Sequence, residues 1–283
     1  MDADRVVDEV LAELADVDLA VNEEAKGAPS HYLQEHRHEY IRTVRDILAT
    51  RPPSPGPVRV LEIGAFFGAV CVALSRLGYD VTAGDIPEYI EMPEQAARYA
   101  RHGVKTSGIR LENFVLPFAD ESFDVVVMCE VLEHLNFNPL PLLKEINRIL
   151  SPGGLFYLSL PNYARTKNRV AILRGGSAGI PVHSFFEQLD PRLAEIANGH
   201  WREYTMPEVR AMLEPLGFRI QRHYYFSLGE TLPGGSLRKR LGRLLYRTVP
   251  SLKENQTALA IRERRTPIEF AIPSTVHREL RNL

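Results

Sequence analysis

Apolar positions recur along the chain with two different periods, and the changes of period mark out the elements. In residues 4–20, Val6, Val7, Val10, Leu11 and Leu14 fall at helical spacing, and residues 32–50 repeat the pattern with Tyr40, Ile41, Val44, Ile47 and Leu48. RPPSPGP at 51–57 is a stiff break. Residues 1–50 therefore read as a helical extension leading into a core that starts at Val58. From there short apolar runs alternate with helical stretches. Strands are expected at Val58–Ile63, Asp80–Ala83, Phe123–Cys129, Leu155–Leu160, Phe218–Phe226 and Thr257–Arg264. Helices are expected at 67–77, Glu94–His102, Leu140–Leu150 and Pro207–Leu216, three of them closed by Gly78, Gly103 and Gly217 and the third in order stopped by the Ser151–Gly154 turn. This alternation predicts an α/β fold, doubly wound, with a mostly parallel sheet covered on both faces. Ligands of such sheets sit at the carboxyl ends of the strands.

Two stretches interrupt the rhythm. Residues 163–200 and 228–256 are far longer than ordinary connections and read as insertions after the later strands, suited to closing over a substrate. The main domain then spans 58–266, with a C-terminal tail at 267–283. Within the second insertion, LRKRLGRLLYR at 237–247 is a basic amphipathic helix. It either covers the core with solvated arginines or offers a membrane contact or a clamp for an anionic substrate.

Composition narrows the picture only slightly. A formal charge of −2 over 283 residues gives no global pull toward nucleic acid, which is not an expected partner. Cys71 and Cys129 lie in apolar runs and read as reduced core residues. The acidic N-terminus has no apolar signal core and no run is long enough to span a bilayer, so the expected location is the cytoplasm. The apolar positions of residues 4–20 could pack on the core or on a second subunit, and a homodimer is expected.

Chemistry enters with VLEIGAFFG, where Glu62, Gly64, Ala65 and Gly68 surround the first strand–helix turn. Gly64 permits the tight turn and Gly68 lets the helix start approach a ligand. Phe66 stands where a middle glycine is common, and the lysine and hydroxyl residue of a polyphosphate-binding loop are missing. In GYDVTAGDIP, Asp85 ends the next strand, placed to accept from both hydroxyls of a ribose. Glu112 and Asn113 are expected to end the third strand. With VLEIG, GD, LPFADESFD, EVLEHL, LKEINRILSPGG and HWREYT in this order, the sequence from about Val58 to Phe226 resembles the class I S-adenosylmethionine-dependent methyltransferases. The resemblance implies a Rossmann-like fold and S-adenosylmethionine as cofactor. It further implies that Glu62 and Gly64 lie by the methionine portion, with Ala65, Gly68 and Cys129 also among the cofactor-binding residues. Asp85 would hold the ribose, Ile86 would pack on the adenine, and Glu112 or Asn113 would meet the adenine edge.

Directly after the apolar FDVVVMC strand comes Glu130–Val131–Leu132–Glu133–His134. A helix starting there would put Glu130, Glu133 and His134 on one face, at i, i+3 and i+4. Two carboxylates and an imidazole so close are costly unless a cation separates them. His200, in GHWREYT, is a fourth candidate. Here the sequence is similar to metal-dependent O-methyltransferases that modify ribose hydroxyls of small RNAs, and to relatives in the ubiquinone pathway. By that resemblance Glu130, Glu133, His134 and His200 would hold magnesium, and the mixed oxygen and imidazole ligand set also suits manganese or another transition metal. The alternatives are a metal-free site in which His134 or His200, beside Glu133, is the catalytic base, and a purely structural role.

The leading expectation is methyl transfer to a hydroxyl oxygen of a small-molecule sugar or glycan, since a metal suits diols and HWREYT with long insertions resembles bacterial glycan-modifying methyltransferases. The second is a quinone, phenol or other lipid-like acceptor, met at a membrane through 237–247. The third is RNA 2′-O-methylation, weakened by the charge of −2. A binding module that has kept the cofactor fold and lost catalysis is the non-enzymatic alternative.

Overall fold

A computed structural model describes residues 2–14, 29–187, 189, 199–227 and 244–267. Seven strands form one sheet: β1 (Arg59–Ile63), β2 (Asp80–Asp85), β3 (Lys105–Gly108), β4 (Phe123–Cys129), β5 (Leu150–Pro161), β6 (Phe218–Phe226) and β7 (Asn255–Arg262). Their order is β3-β2-β1-β4-β5-β7-β6. β3 through β5 run parallel, and β7 is antiparallel to both neighbours. The predicted α/β, mostly parallel architecture is what the chain adopts. The runs VLEI and VVVM are buried throughout because both faces of the central strands are covered.

The helices are α1 (Ala3–Leu14), α2 (Pro29–Thr50), α3 (Ala69–Arg76), α4 (Pro87–Ile90), α5 (Pro93–Arg101), α6 (Leu140–Ile149), α7 (Thr166–Leu173), α8 (Val182–Glu187) and α9 (Met206–Leu213). Two apolar layers sandwich the sheet. One joins α1, α2 and α3 to one face through Val7, Leu11, Val44, Ile47 and Leu74; the other joins α6 and α9 to the opposite face through Leu142, Ile146 and Val209. The N-terminal helices therefore complete the core. Arg37 donates to both oxygens of Asp8 at 2.6 and 2.7 Å, and Arg76 to Glu13 at 2.5 and 2.6 Å, so α1 is tied to α2 and α3.

Three local expectations need correction. The Ser151–Gly154 segment is part of β5. Phe123 pairs with Leu150, the register then slips by Val125, and the Ser151 hydroxyl donates to Asp124 at 3.0 Å, so the strand absorbs the irregularity instead of ending. Glu112 and Asn113 do not end β3. They lie beyond it on a single 3₁₀ turn, Leu111–Asn113, with both side chains exposed. β3 stops at Gly108 because Ile109 turns into the core, its N–H donating to the Asp85 carbonyl at 2.7 Å. No α-helix begins at Glu130; its φ of +53° is left-handed, and a 3₁₀ turn, Leu132–His134, follows. Part of the basic segment, 237–243, and the tail at 268–283 lie outside the described residues.

Candidate active site

The sheet's strand order reverses between β1 and β4, and the site lies at their carboxyl ends. Ile63 is paired with Met128, so the turn after β1 and the residues after β4 emerge side by side. A cleft open to solvent lies above them. It is lined by Glu62, the Gly64–Val70 turn, Cys129 and Glu130, and, from α2, by His36, Glu39, Tyr40 and Thr43.

The turn after β1 is irregular in sequence and firmly held in structure. Gly64, Phe66 and Gly68 all have positive φ, at 77°, 41° and 68°. A Cβ on Gly64 would overlap Val131, and one on Gly68 would overlap the Tyr99 ring. Gly68 is thus required by Tyr99 within the fold and not only by a ligand. Phe66, a non-glycine in the left-handed region, is pinned from both sides. Its N–H donates to Asp85 Oδ2 at 2.7 Å, and its carbonyl accepts from the Gln95 amide and from the Tyr99 hydroxyl. Buried Arg98 donates to the next carbonyl, that of Phe67. Gln95, Arg98 and Tyr99 were not recognised in the sequence as supports. Their i, i+3 and i+4 spacing on α5 was the available signal.

Asp85 also accepts from the Ile86 N–H at 2.7 Å. Burial pushes its carboxyl above the usual aspartate value, and the two backbone donors work against that shift. Glu62 is buried deeper, and desolvation raises its carboxyl to about 7 even though Cys71 donates to it. Glu112 and Asn113 flank this region from the surface, Glu112 lying 3.9 Å from Arg110.

Beyond β4, the Glu130 N–H donates to the Ser159 carbonyl at 2.9 Å, continuing the ladder for one residue before the left-handed turn. Leu132 is fully buried and anchors the 3₁₀ turn. Glu133 beside it is also fully buried. Among the described residues no donor reaches either Glu133 oxygen or Glu130 Oε1. Burial raises the Glu133 carboxyl to about 7 and pushes Glu130, which faces the charges of Glu39 and Glu133, well above the usual range.

His200 reaches this turn by a backbone strap. The Arg202 N–H donates to the Glu133 carbonyl at 3.2 Å, and the Tyr163 N–H donates to the Tyr204 carbonyl at 3.0 Å. The Thr205–Glu208 capping box then starts α9. His200 Nδ1 lies 2.9 Å from Glu203 Oε1, and Glu203 also accepts from Arg165 at 2.7 Å and Asn168 at 3.1 Å. Burial opposes the Glu203 charge, but these partners outweigh it and hold its carboxyl below the usual value. The result is a group of three ligand atoms, from Glu133, His134 and His200, all within 4.8 Å of one another, the one such group among the described residues. Glu130 stands beside Glu133 but outside that group. Orphaned carboxylate oxygens facing two imidazoles fit a divalent cation of borderline character.

Residues 61–158 match the family model described as a methyltransferase domain. The ubiquinone biosynthesis O-methyltransferase of Xanthomonas campestris pv. campestris (strain B100) is 28% identical over 200 residues, covering 68% of this chain and 72% of the relative. The protein of the same name from Roseobacter denitrificans is 33% identical over 147 residues, covering 50% and 58%. Among solved structures, a chain of the complex between the Haloferax volcanii Trm112 methyltransferase activator and a methyltransferase superposes with a TM-score of 0.56 at 19% identity, covering 82% of this chain and 93% of that one. That likeness bears on the fold alone. Residues 61–158 are thus similar to a methyltransferase domain, and the strand order and the turn that brings Phe66 against Asp85 agree with the resemblance to class I S-adenosylmethionine-dependent methyltransferases.

Proposed function

We propose that the chain transfers the methyl group of S-adenosylmethionine to a phenolic hydroxyl of a quinone-like or other lipid-like acceptor. The observation that carries this reading is the Glu133–His134–His200 group at the carboxyl edge of β4, beside the cofactor cleft. Methyl transfer from a sulfonium is an in-line displacement that needs an oxygen with phenolate or alkoxide character. The relatives named for ubiquinone biosynthesis support a phenol over the sugar expected first. A phenol titrates near pH ~10, the value of a tyrosine side chain, so it needs less activation than a sugar hydroxyl.

In this account Asp85 holds the ribose hydroxyls, Ile86 packs on the adenine, and Glu112 or Asn113 meets the adenine edge. Glu62, Gly64, Ala65, Gly68 and Cys129 surround the methionine portion. Glu133, His134 and His200 are the residues that would hold magnesium or manganese, with Glu130 supporting them. A cation bound there would supply charge that lowers the pKa of the acceptor hydroxyl and orients it. Glu203 fixes the ring of His200 through Nδ1. Without a cation, the same two imidazoles remain as bases for the hydroxyl proton, worth a typical ~10²–10⁴-fold.

A lipid-like acceptor would be met at a membrane surface. Among the described residues no helix is long and apolar enough to cross a bilayer. The first insertion instead exposes Leu173 (85%), Phe186 (71%) and Leu189 (77%) beside the cationic Arg169 and Arg174. These exposed residues are a candidate contact alongside 237–247, and 244–248 form a short helix. The test of acceptor class is mass-spectrometric detection of product from a panel of catechols, phenols and sugar diols. Methylated phenols are expected; product from sugars alone would overturn the proposal.

A further inference from the structure

We propose that Gln95, on α5, is a positioning residue for cofactor binding: it holds Phe66 in the left-handed conformation that fixes the Asp85 carboxylate, and Arg98 and Tyr99 back it. The inference rests on S-adenosylmethionine being the cofactor and on Asp85 holding its ribose, and deepens that reading.

The sheet holds the turn after β1 only as far as Ala65. The amides of Gly64 and Ala65 both donate to the Gly84 carbonyl, at 2.9 and 3.2 Å. Phe66, which lines the cleft, is the first residue beyond that anchor. Its φ of +41° lies in a region that a residue with a Cβ enters only at a cost. Side chains keep it there. Its N–H donates to Asp85 Oδ2 at 2.7 Å. Its carbonyl accepts from Gln95 Nε2 and, at 3.1 Å, from the Tyr99 hydroxyl. One residue thus joins a carboxylate at the end of β2 to the inner face of α5.

That face is polar although it is buried. Gln95, Arg98 and Tyr99 follow at i, i+3 and i+4, and all three are buried. Apolar side chains would fill the space with less desolvation, but they could not donate to carbonyls. Gln95 Oε1 accepts from Arg98 at 2.8 Å, which leaves Nε2 as the end of the amide that meets Phe66. Arg98 also donates to the Phe67 carbonyl. Two successive carbonyls of the turn are therefore gripped from one helix. Asp85 takes one backbone donor on each oxygen, from Phe66 and from Ile86. Without Gln95 the left-handed conformation loses a support, and relaxation of Phe66 draws its N–H away from Oδ2. A carboxylate already opposed by burial then keeps one of its two backbone donors. The consequence for the ligand passes through Asp85.

The test is a double-mutant cycle on the full chain, with S-adenosylmethionine affinity read by calorimetry and stability by urea unfolding. Gln95→Glu keeps the shape of the side chain and its acceptor for Arg98 but removes the donor to Phe66. Its affinity should be about 10-fold below native, the scale of one hydrogen bond. In an Asp85→Ala background the same substitution should change affinity by less than about twofold, because the residue it acts through is gone. In a Phe66→Gly background it should cost less than about threefold, since glycine enters the left-handed region without strain. Should Gln95→Glu fail to fold, Gln95→Met, which fills the same space without a donor, carries the same expectations. Native affinity in the Gln95 variant would overturn the proposal. So would an equal loss with and without Asp85, which would mean a purely structural role. A native chain that does not bind S-adenosylmethionine would refute the cofactor reading, and Asp85→Ala protein with native affinity would refute the ribose anchor; the proposal falls with either.

Discussion

The rings of His134 and His200 meet edge to face, with centroids 4.9 Å apart and planes at 89°, although one follows β4 and the other precedes α9. The Arg202–Glu133 backbone hydrogen bond and the Glu203 carboxylate hold them there. Glu133 lies under the pair, with its nearer oxygen 3.9 Å from His134 Nε2.

Glu133 is therefore the most informative single substitution. A buried carboxylate with no donor destabilises the chain when no cation is present. Glu133→Gln should raise the melting temperature of chelator-treated protein and lower methyl transfer by about 100-fold or more, the scale of losing an activating group. Lowered activity with lowered stability would mean that Glu133 is a packing residue.

Asp85 braces the Phe66 turn and is the proposed ribose anchor. Asp85→Ala should weaken S-adenosylmethionine binding by about 10- to 100-fold in calorimetry, the range for hydrogen bonds to a charged group. Asp85→Asn, which can still accept from one of the two amides, should lose less. Unchanged affinity in the alanine variant would remove Asp85 from the site.

Gly64 tests the turn from the other side. Gly64→Ala places a Cβ against Val131 at a φ of +77°, so it should cost about 1–3 kcal/mol in denaturant unfolding. Cofactor affinity should fall with it. A fully stable Gly64→Ala would contradict the close approach of the two turns.

The order of elements, the parallel core and the glycine turn were legible because they follow from hydrophobic period and from residues such as Gly64 and Gly103 that punctuate it. Asp85 was legible as the acidic end of a short strand. The geometry after β4 was not. Glu130, Glu133 and His134 have helical spacing, but Glu130 turns left-handed and the chain forms a 3₁₀ turn. Spacing alone cannot tell these apart, and both bring Glu133 and His134 together. The meeting of His200 with His134 depends on backbone bonds between distant segments, which no local pattern encodes. Glu112 and Asn113 were misplaced because β3 ends at Gly108, where Ile109 turns into the core and a 3₁₀ turn follows, a break that the polar KTS run before it does not mark. The cleft is also lined from α2 by His36, Glu39 and Tyr40, which helical spacing of apolar positions alone does not single out for this role.

His223 on β6 gives a pH signature away from the site. Burial pushes its imidazole down to about 4, although Gln256 Oε1 lies 3.0 Å from its Nε2. The folded state binds the proton less well than the unfolded chain, whose histidine titrates near pH ~6.5. This residue's stability contribution is therefore complete above that pH and is lost as pH falls toward 4. The loss is about 3 kcal/mol. Chemical denaturation of native and His223→Gln protein between these limits should show a shallower acid loss in the variant. Parallel curves would refute it.

The exposed apolar residues of α7 and α8 should bind vesicles rich in anionic lipid in a flotation assay. Leu173→Asp with Phe186→Asp should abolish that binding while leaving S-adenosylmethionine affinity unchanged. Equal flotation of variant and native chain would refute this membrane face.

The central claim is tested most directly by methyl transfer from labelled S-adenosylmethionine to a catechol, measured with chelator-stripped protein before and after adding magnesium or manganese. The account predicts a methyl ether on the phenolic oxygen, with a rate that rises at least ~10-fold on adding the cation. Absence of labelled catechol product under both conditions, by protein that binds S-adenosylmethionine, would contradict it.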